Sequence, residues 1–215
     1  MFYRVCWWIA LFLTRVFFRL KVIGAERIPA SGGVVLASNH CCYADPVFIG
    51  VSTRRVLHFL AKREAFDWLL FGPLIRRLNA LPITRGMADL RALSSVEEAL
   101  RRGGAVLMFP EGTRRKDGRL GPARSGVGFV AARMRAPVVP VYISGTARVF
   151  RSLLRRQRVV VHFGPPLRIE GFILPEGHKE TYKRITDEVM KRIAEIKEGE
   201  TADGKRQTAP SPPPS

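Results

Sequence analysis

In SNHCCYADP, residues 38–46, a histidine, two cysteines and an aspartate fall within six residues. The set admits three chemistries: a metal site, a cysteine nucleophile beside its base, or a histidine–aspartate general base. A zinc site needs three or four ligands at workable spacing, and a second ligand pair is missing. Adjacent Cys41 and Cys42 near a strand end point apart, and papain-like arrangements draw the cysteine and histidine from distant segments. His40 and Asp45 remain, either as a base and its orienting carboxylate or as structural polar residues at an ordinary strand end. Five residues is too far for one helical face but suits a strand–loop–helix turn that folds the carboxylate back onto the imidazole. No GxSxG elbow advertises a serine nucleophile, so such a pair points to a hydroxyl carried in by the substrate.

A second cluster, FPEGTRR at 109–115, also follows an apolar run. A glycine that exposes backbone N–H groups, Thr113 and two arginines describe a phosphate or oxyanion cradle. Arg85, just past the short run ALPIT, is a further cation of the same kind.

The elements that must position these groups read as follows. GGVVLAS (32–38) is a buried strand behind a Gly-Gly turn, and Asp45-Pro46 reads as an N-cap followed by proline at N1. VLHFLAK (56–62), ALPIT, AVLMFP (105–110), PVVPVYIS (137–144) and RVVVHF (158–163) are further strands. FDWLLFGPLIRRLN reads as two short helical pieces broken at Gly72-Pro73, and MADLRALSSVEEALRRGG as a helix closed by glycines. Residues 125–135 and 177–198 are helical patterns, and EGTRRKDGRLGPAR is a polar loop. Strands alternating with helices give an α/β fold with a mainly parallel central sheet flanked by helices. His40 then lies at the carboxyl end of a buried strand, the edge where open α/β sheets bind ligands.

The 215 residues suit one buried domain, expected over residues 21–200. Residues 201–215, Pro/Ser-rich at the end and without an apolar run, are expected to be a disordered tail. Residues 1–20 form an apolar, aromatic stretch whose longest uncharged run, Val5 to Thr14, is far short of the roughly 20 residues of a spanning helix. At about 100° per residue Arg4, Arg15 and Arg19 share one sector. The pattern is that of a membrane-anchoring interfacial helix, with Trp7, Trp8, Phe12, Phe17 and Phe18 among the insertable residues; a helix packed on its own domain and a short tilted span are the alternatives.

Net charge is +18, from 28 Arg and 8 Lys against 18 acidic residues. Residues 175–215 are balanced, so the surplus lies entirely in residues 1–174. Such a field points to an anionic partner: a membrane surface, a phosphorylated substrate or nucleic acid. The nucleic-acid class competes on arginine content, but it lacks a recognised motif and leaves the apolar N-terminus unexplained. The run RVFRSLLRRQR (148–158) reads as a solvated helix face or a membrane-facing patch. Three cysteines suit a reducing compartment. His58 and His162 read as sheet residues, and His178 as an exposed helix start.

Asn39-His40-x4-Asp45-Pro46 is similar to the NHxxxxD motif of the glycerolipid acyltransferases, the 1-acyl-glycerol-3-phosphate acyltransferase family. Three further blocks resemble that family in order: AKREAF with LPITR, FPEGTRR beside its FPEGTRS, and VVPVYISGT. Together they cover residues 38–146. The resemblance implies the glycerolipid acyltransferase fold and transfer of an acyl group, without metal or cofactor, from acyl-CoA or acyl-acyl-carrier protein to a lysophospholipid hydroxyl. The implied acceptor is 1-acyl-glycerol-3-phosphate, giving phosphatidic acid, with another lysophospholipid or lyso-aminolipid as the alternative. His40 would be the general base and Asp45 its orienter. Arg85 with Glu111, Gly112, Thr113 and Arg114 would hold the acceptor phosphate, Glu111 mainly organising the loop, and Lys62 would add charge. The implied location is the cytoplasmic face of a membrane, that of a bacterial inner membrane. The chain departs from the pattern at ALPITR, at ARSG (123–126) where the family has FKxG, and at Cys41 and Cys42.

Overall fold

A computed structural model of the protein describes residues 1–84, 89–147, 158–172 and 178–208. Seven strands form one sheet: β1 (Lys21–Ile23), β2 (Val34–Ser38), β3 (Leu57–Lys62), β4 (Ala80–Ile83), β5 (Ala105–Met108), β6 (Val138–Ser144) and β7 (Val160–Phe163). Their order is β1-β7-β6-β2-β5-β3-β4. All neighbours are parallel except β6 and β7. The helices are α1 (Phe2–Phe18), α2 (Asp45–Val51), α3 (Phe71–Arg77), α4 (Leu90–Arg101), α5 (Gly126–Met134) and α6 (His178–Thr208).

The continuous apolar runs follow from burial on both faces of the sheet. Val34 and Leu36 face a core shared with Phe48 and Ile49 of α2. Val35 and Ala37 face the opposite core, closed by Val96 of α4, Val130 of α5 and Ile185 of α6. At Gly128 an added Cβ would meet the Tyr182 carbonyl oxygen at 1.9 Å, so only glycine lets α5 and α6 approach as they do. Strand order reverses around β2, with β5 on one side and β6 on the other. That is the switch point at which an open α/β sheet forms its crevice.

Several sequence expectations are corrected in detail. Asp45 is the first residue of α2, whose cap position is Ala44, and its carboxylate turns back to the preceding loop. Gly72-Pro73 does not break a helix. It lies in the first turn of α3, where a missing proline N–H leaves no bond unmade. β1 was not foreseen, because three residues at an edge carry almost no periodicity. The last helix continues past residue 198 through Thr208, so the tail expected from residue 201 starts as helix; Glu200, Ala202, Lys205 and Gln207 are good helix formers. Residues 209–215 lie outside the described residues.

α1 uses both of its faces. Tyr3, Cys6, Trp7, Ala10, Leu11 and Thr14 form an inward stripe. Trp7 Nε1 donates to the Gly50 carbonyl at 3.0 Å, and Phe18 meets Phe48 edge-on at 5.3 Å. Trp7 and Phe18, expected among the insertable residues, are therefore turned inward. Trp8, Phe12 and Phe17 are exposed, as are Val5, Ile9 and Leu13. Among the described residues no helix is long and apolar enough to cross a membrane.

Candidate active site

β2 ends at Ser38 and delivers His40 to the carboxyl edge of the sheet, beside the end of β5. The tight 41–44 turn then brings Asp45 back over the histidine. His40 Nδ1 and Asp45 Oδ2 are 2.8 Å apart, and the same oxygen accepts the backbone N–H groups of Cys41 at 2.7 Å and Cys42 at 2.8 Å. Asp45 is fully buried. Three donors converging on one carboxylate oxygen place the histidine proton on Nδ1 and leave Nε2 as the basic nitrogen. The imidazole lies flat on the Phe109 ring, centroids 3.8 Å apart.

The main chain of His40 is held as firmly as its ring. Its N–H donates to Glu111 Oε1 at 3.2 Å, and its carbonyl accepts from Arg115 N at 2.7 Å. Glu111 Oε2 takes the Gly121 N–H at 3.0 Å, so one buried carboxylate joins the histidine strand to both ends of the 111–121 loop. Burial raises the Glu111 pKa, and the N–H groups of Gly121 and His40 with the Arg115 charge oppose that rise.

Asn39 is a structural part of the site that sequence reasoning quoted but gave no role. Its side chain donates to the Ile143 carbonyl at 3.0 Å and accepts the Ile143 N–H at 2.8 Å, locking the end of β2 to β6. A polar side chain at the end of a buried strand was the available signal. Asp89, also unassigned, caps α4 through the Ala92 N–H and takes the N–H of Thr84. Those bonds hold its pKa down at about 2.

A cavity of about 320 Å³ opens beside His40, lined among others by Lys62, Thr84, Phe109, Gly112 and Arg124. Gly112 has φ 64°, where an L side chain is strained, and a Cβ there would press on the Arg124 side chain at 3.1 Å, so glycine is favoured for the turn. An apolar cavity of about 360 Å³ adjoins it, sharing Leu60, Ile83, Met108 and Gly126 and running on to Leu93, Val96 and Phe129. The cavity beside the imidazole thus adjoins an apolar one across Leu60, Ile83, Met108 and Gly126.

Of the residues singled out from sequence, His40, Lys62 and Gly112 line the polar chamber. Glu111 is buried behind it, Thr113 is exposed, and the Arg114 guanidinium lies over the Tyr43 ring, 3.4 Å from its centroid. Arg85 lies outside the described residues, as does the run 148–158 apart from Arg158. Burial, reinforced by the Asp45 and Glu111 carboxylates, pushes the Cys41 thiol up to about 12, and burial also raises Cys42. A thiol held in its protonated form is a poor nucleophile. His58 and His162 lie in β3 and β7, and burial lowers the pKa of each.

A family model described as Acyltransferase matches residues 19–144. The 1-acyl-sn-glycerol-3-phosphate acyltransferase of Bacillus subtilis (strain 168) is 28% identical over 179 residues, 82% of this chain and 87% of that protein. A chloroplastic 1-acyl-sn-glycerol-3-phosphate acyltransferase of Brassica napus is 32% identical over 136 residues, 62% of this chain but only 39% of its own length. The crystal structure of the 1-acyl-sn-glycerophosphate acyltransferase PlsC from Thermotoga maritima matches with a TM-score of 0.67 at 27% identity, covering 86% of this chain and 75% of that one. The family match takes in more than half of the chain, including His40, Asp45 and the FPEGTRR loop, and the protein belongs to the acyltransferase family.

Proposed function

We propose that the protein transfers a fatty acyl group from acyl-CoA or acyl-acyl-carrier protein to the free hydroxyl of 1-acyl-glycerol-3-phosphate, forming phosphatidic acid. The observation that carries this reading is the His40–Asp45 pair, whose imidazole lines a cavity that also carries Lys62 and Arg124 and adjoins an apolar one. The acceptor phosphate sits against Lys62 and Arg124, with Arg85 and Arg114 as the further cations the family resemblance assigns to it. The acyl chain of the donor runs into the apolar chamber lined by Leu93, Val96 and Phe129. His40 Nε2 takes the hydroxyl proton as the acceptor oxygen attacks the thioester carbonyl carbon. The tetrahedral intermediate collapses by breaking the C–S bond. The departing thiolate recovers the proton from the imidazolium, and Asp45 stabilises that cation while it exists. Neither a metal nor a covalent acyl-enzyme enters this sequence.

Membrane association fits the same reading. The exposed face of α1 presents Trp8, Phe12 and Phe17, and at about 100° per residue Arg4 and Arg15 fall on the flank between the exposed and packed faces. The helix lies in the headgroup region on the cytoplasmic leaflet, where the donors are found and the basic surplus meets anionic lipid.

The test is purified protein with labelled acyl-CoA and acyl-carrier protein against a panel of lysolipids, wild type beside His40→Ala. Transfer to 1-acyl-glycerol-3-phosphate that is lost in the variant is the expected result. Full activity in His40→Ala would overturn the mechanism, and transfer to another lysolipid alone would replace the acceptor.

A further inference from the structure

We propose that the Trp68–Phe71 loop, continued by the outer edge of α3, is a second membrane-inserting element that seats the mouth of the His40 cavity on an anionic bilayer. Leu69 is 88% exposed, Leu70 84% and Trp68 65%, with Phe71 and Leu74 also exposed. Contiguous apolar exposure of this kind marks an interaction surface. The loop is built to hold it. Phe66 is buried against Ile75 and Ala80 at the base. The chain is pinched at its neck, where a Cβ on Gly72 would meet the Phe66 carbonyl oxygen at 2.1 Å. Gly72 N donates to the Trp68 carbonyl at 2.8 Å, and the Trp68 and Phe71 rings meet at 5.8 Å. A closed neck with an apolar tip is a fixed protrusion.

Its position gives it a purpose. The loop leaves β3 at the carboxyl edge of the sheet, shortly after Lys62, which lines the catalytic cavity. Phe71, Leu74 and Leu78 follow at helical spacing along the outer side of α3. Leu78 shares a cavity with Tyr3, Cys6 and Trp7 of α1, and the Arg77 guanidinium lies 5.4 Å from the Phe2 ring centroid. The apolar line thus runs from the active-site edge to the packed stripe of α1, with Arg77 beside Phe2 where the exposed face of α1 begins. Exposed Lys62, Arg63, Arg76 and Arg77 flank it against Glu64 and Asp67. Aromatic residues at a tip with cations around it match a bilayer interface with anionic lipid. Docked at both points, the protein takes a lysolipid whose chain stays in the bilayer while its headgroup enters beside Lys62; this delivery step rests on the acyl-transfer reading above, and the insertion does not.

The experiment uses the full chain and vesicles of phosphatidylglycerol and phosphatidylethanolamine. Leu69→Asp/Leu70→Asp is expected to weaken vesicle partitioning on the order of 100-fold. It should raise the KM for vesicle-embedded lysophosphatidate while leaving turnover of a short-chain, water-soluble lysophosphatidate and the melting temperature unchanged. In Trp7→Phe/Trp8→Phe, which leaves Trp68 as the sole tryptophan, vesicles should shift emission to the blue and acyl-chain-brominated lipid should quench it. Unchanged partitioning of the Asp variant would overturn the proposal. So would a concentration-dependent dimer in solution that the Asp variant abolishes, because the occupant would then be a second copy. Partitioning is read without a donor, so insertion without acyl transfer would sink the reading of the site and leave the docking surface standing.

Discussion

Asp45→Asn isolates the charge of the buried carboxylate. Asp45 Oδ2 faces His40 Nδ1 at 2.8 Å while also accepting the Cys41 and Cys42 N–H groups. An asparagine carbonyl can still accept from both amides, so the loop survives. Losing the charge assistance on those two bonds costs about 2–3 kcal/mol of stability, a fall in Tm of roughly 5–10 °C for a chain of this size. The effect on catalysis is larger. When the histidine becomes imidazolium in the transition state, opposite unit charges 2.8 Å apart at an effective dielectric of about 20 attract by about 6 kcal/mol. Asparagine forfeits most of that and retains a neutral hydrogen bond, so kcat should fall by roughly 10³–10⁴-fold. The acceptor KM should hardly move, since the proposed phosphate contacts are Lys62 and Arg124 rather than Asp45. Release of free thiol from acyl-CoA, followed under saturating acceptor, measures kcat, and circular dichroism on the same preparation measures Tm. A variant within tenfold of wild-type kcat would refute the argument that the Asp45 charge stabilises the imidazolium. A loss confined to the acceptor KM would refute the assignment of the pair to the chemical step.

Asn39→Ala removes both bonds to Ile143 and strands two buried backbone groups, which should cost about 2–4 kcal/mol and lower Tm by roughly 5–15 °C in a thermal melt. A Tm within 2 °C of wild type would show that β2 and β6 do not depend on this bridge. Cys41 carries an alkaline prediction: its folded pKa lies above that of the unfolded thiol, so the native state binds the extra proton. Its contribution to stability is full below about pH 8.5 and is lost as pH rises through the folded value of about 12. Denaturant unfolding between pH 9 and 11 should therefore give a steeper decline for wild type than for Cys41→Ala, and equal slopes would count against a buried, protonated thiol.

The strands, and the carboxyl edge to which β2 delivers His40, were legible because a sheet buried on both faces writes itself as short apolar runs, as in VVLAS and AVLM. The same logic misread Gly72-Pro73, because a proline signals a break only in a helix interior, and this one stands in the first turn of α3. At Asp45 the sequence pattern of an N-cap was sound as statistics, but the carboxylate had three stronger donors on the other side of it. The FPEGTRR segment lies against the His40 main chain at the strand edge where its spacing put it, while the directions of its side chains are not encoded by spacing. Glu111 points inward and Arg114 rests on Tyr43. The outer face of α1 was visible as an aromatic, apolar stretch. That Trp7 belongs to its inner stripe emerged only from the partner, Gly50.

The Glu111 carboxylate that spans the His40 and Gly121 amides has a consequence for anyone adapting this enzyme. It makes the 111–121 loop and His40 one mechanical unit, so grafting this loop from a relative would displace the histidine unless both anchors travel with it. On the proposed function, redesign of headgroup preference has freedom at the exposed rim, Thr113, Lys116 and Arg119, whose side chains can be exchanged without disturbing the Glu111 and Arg115 bonds behind them.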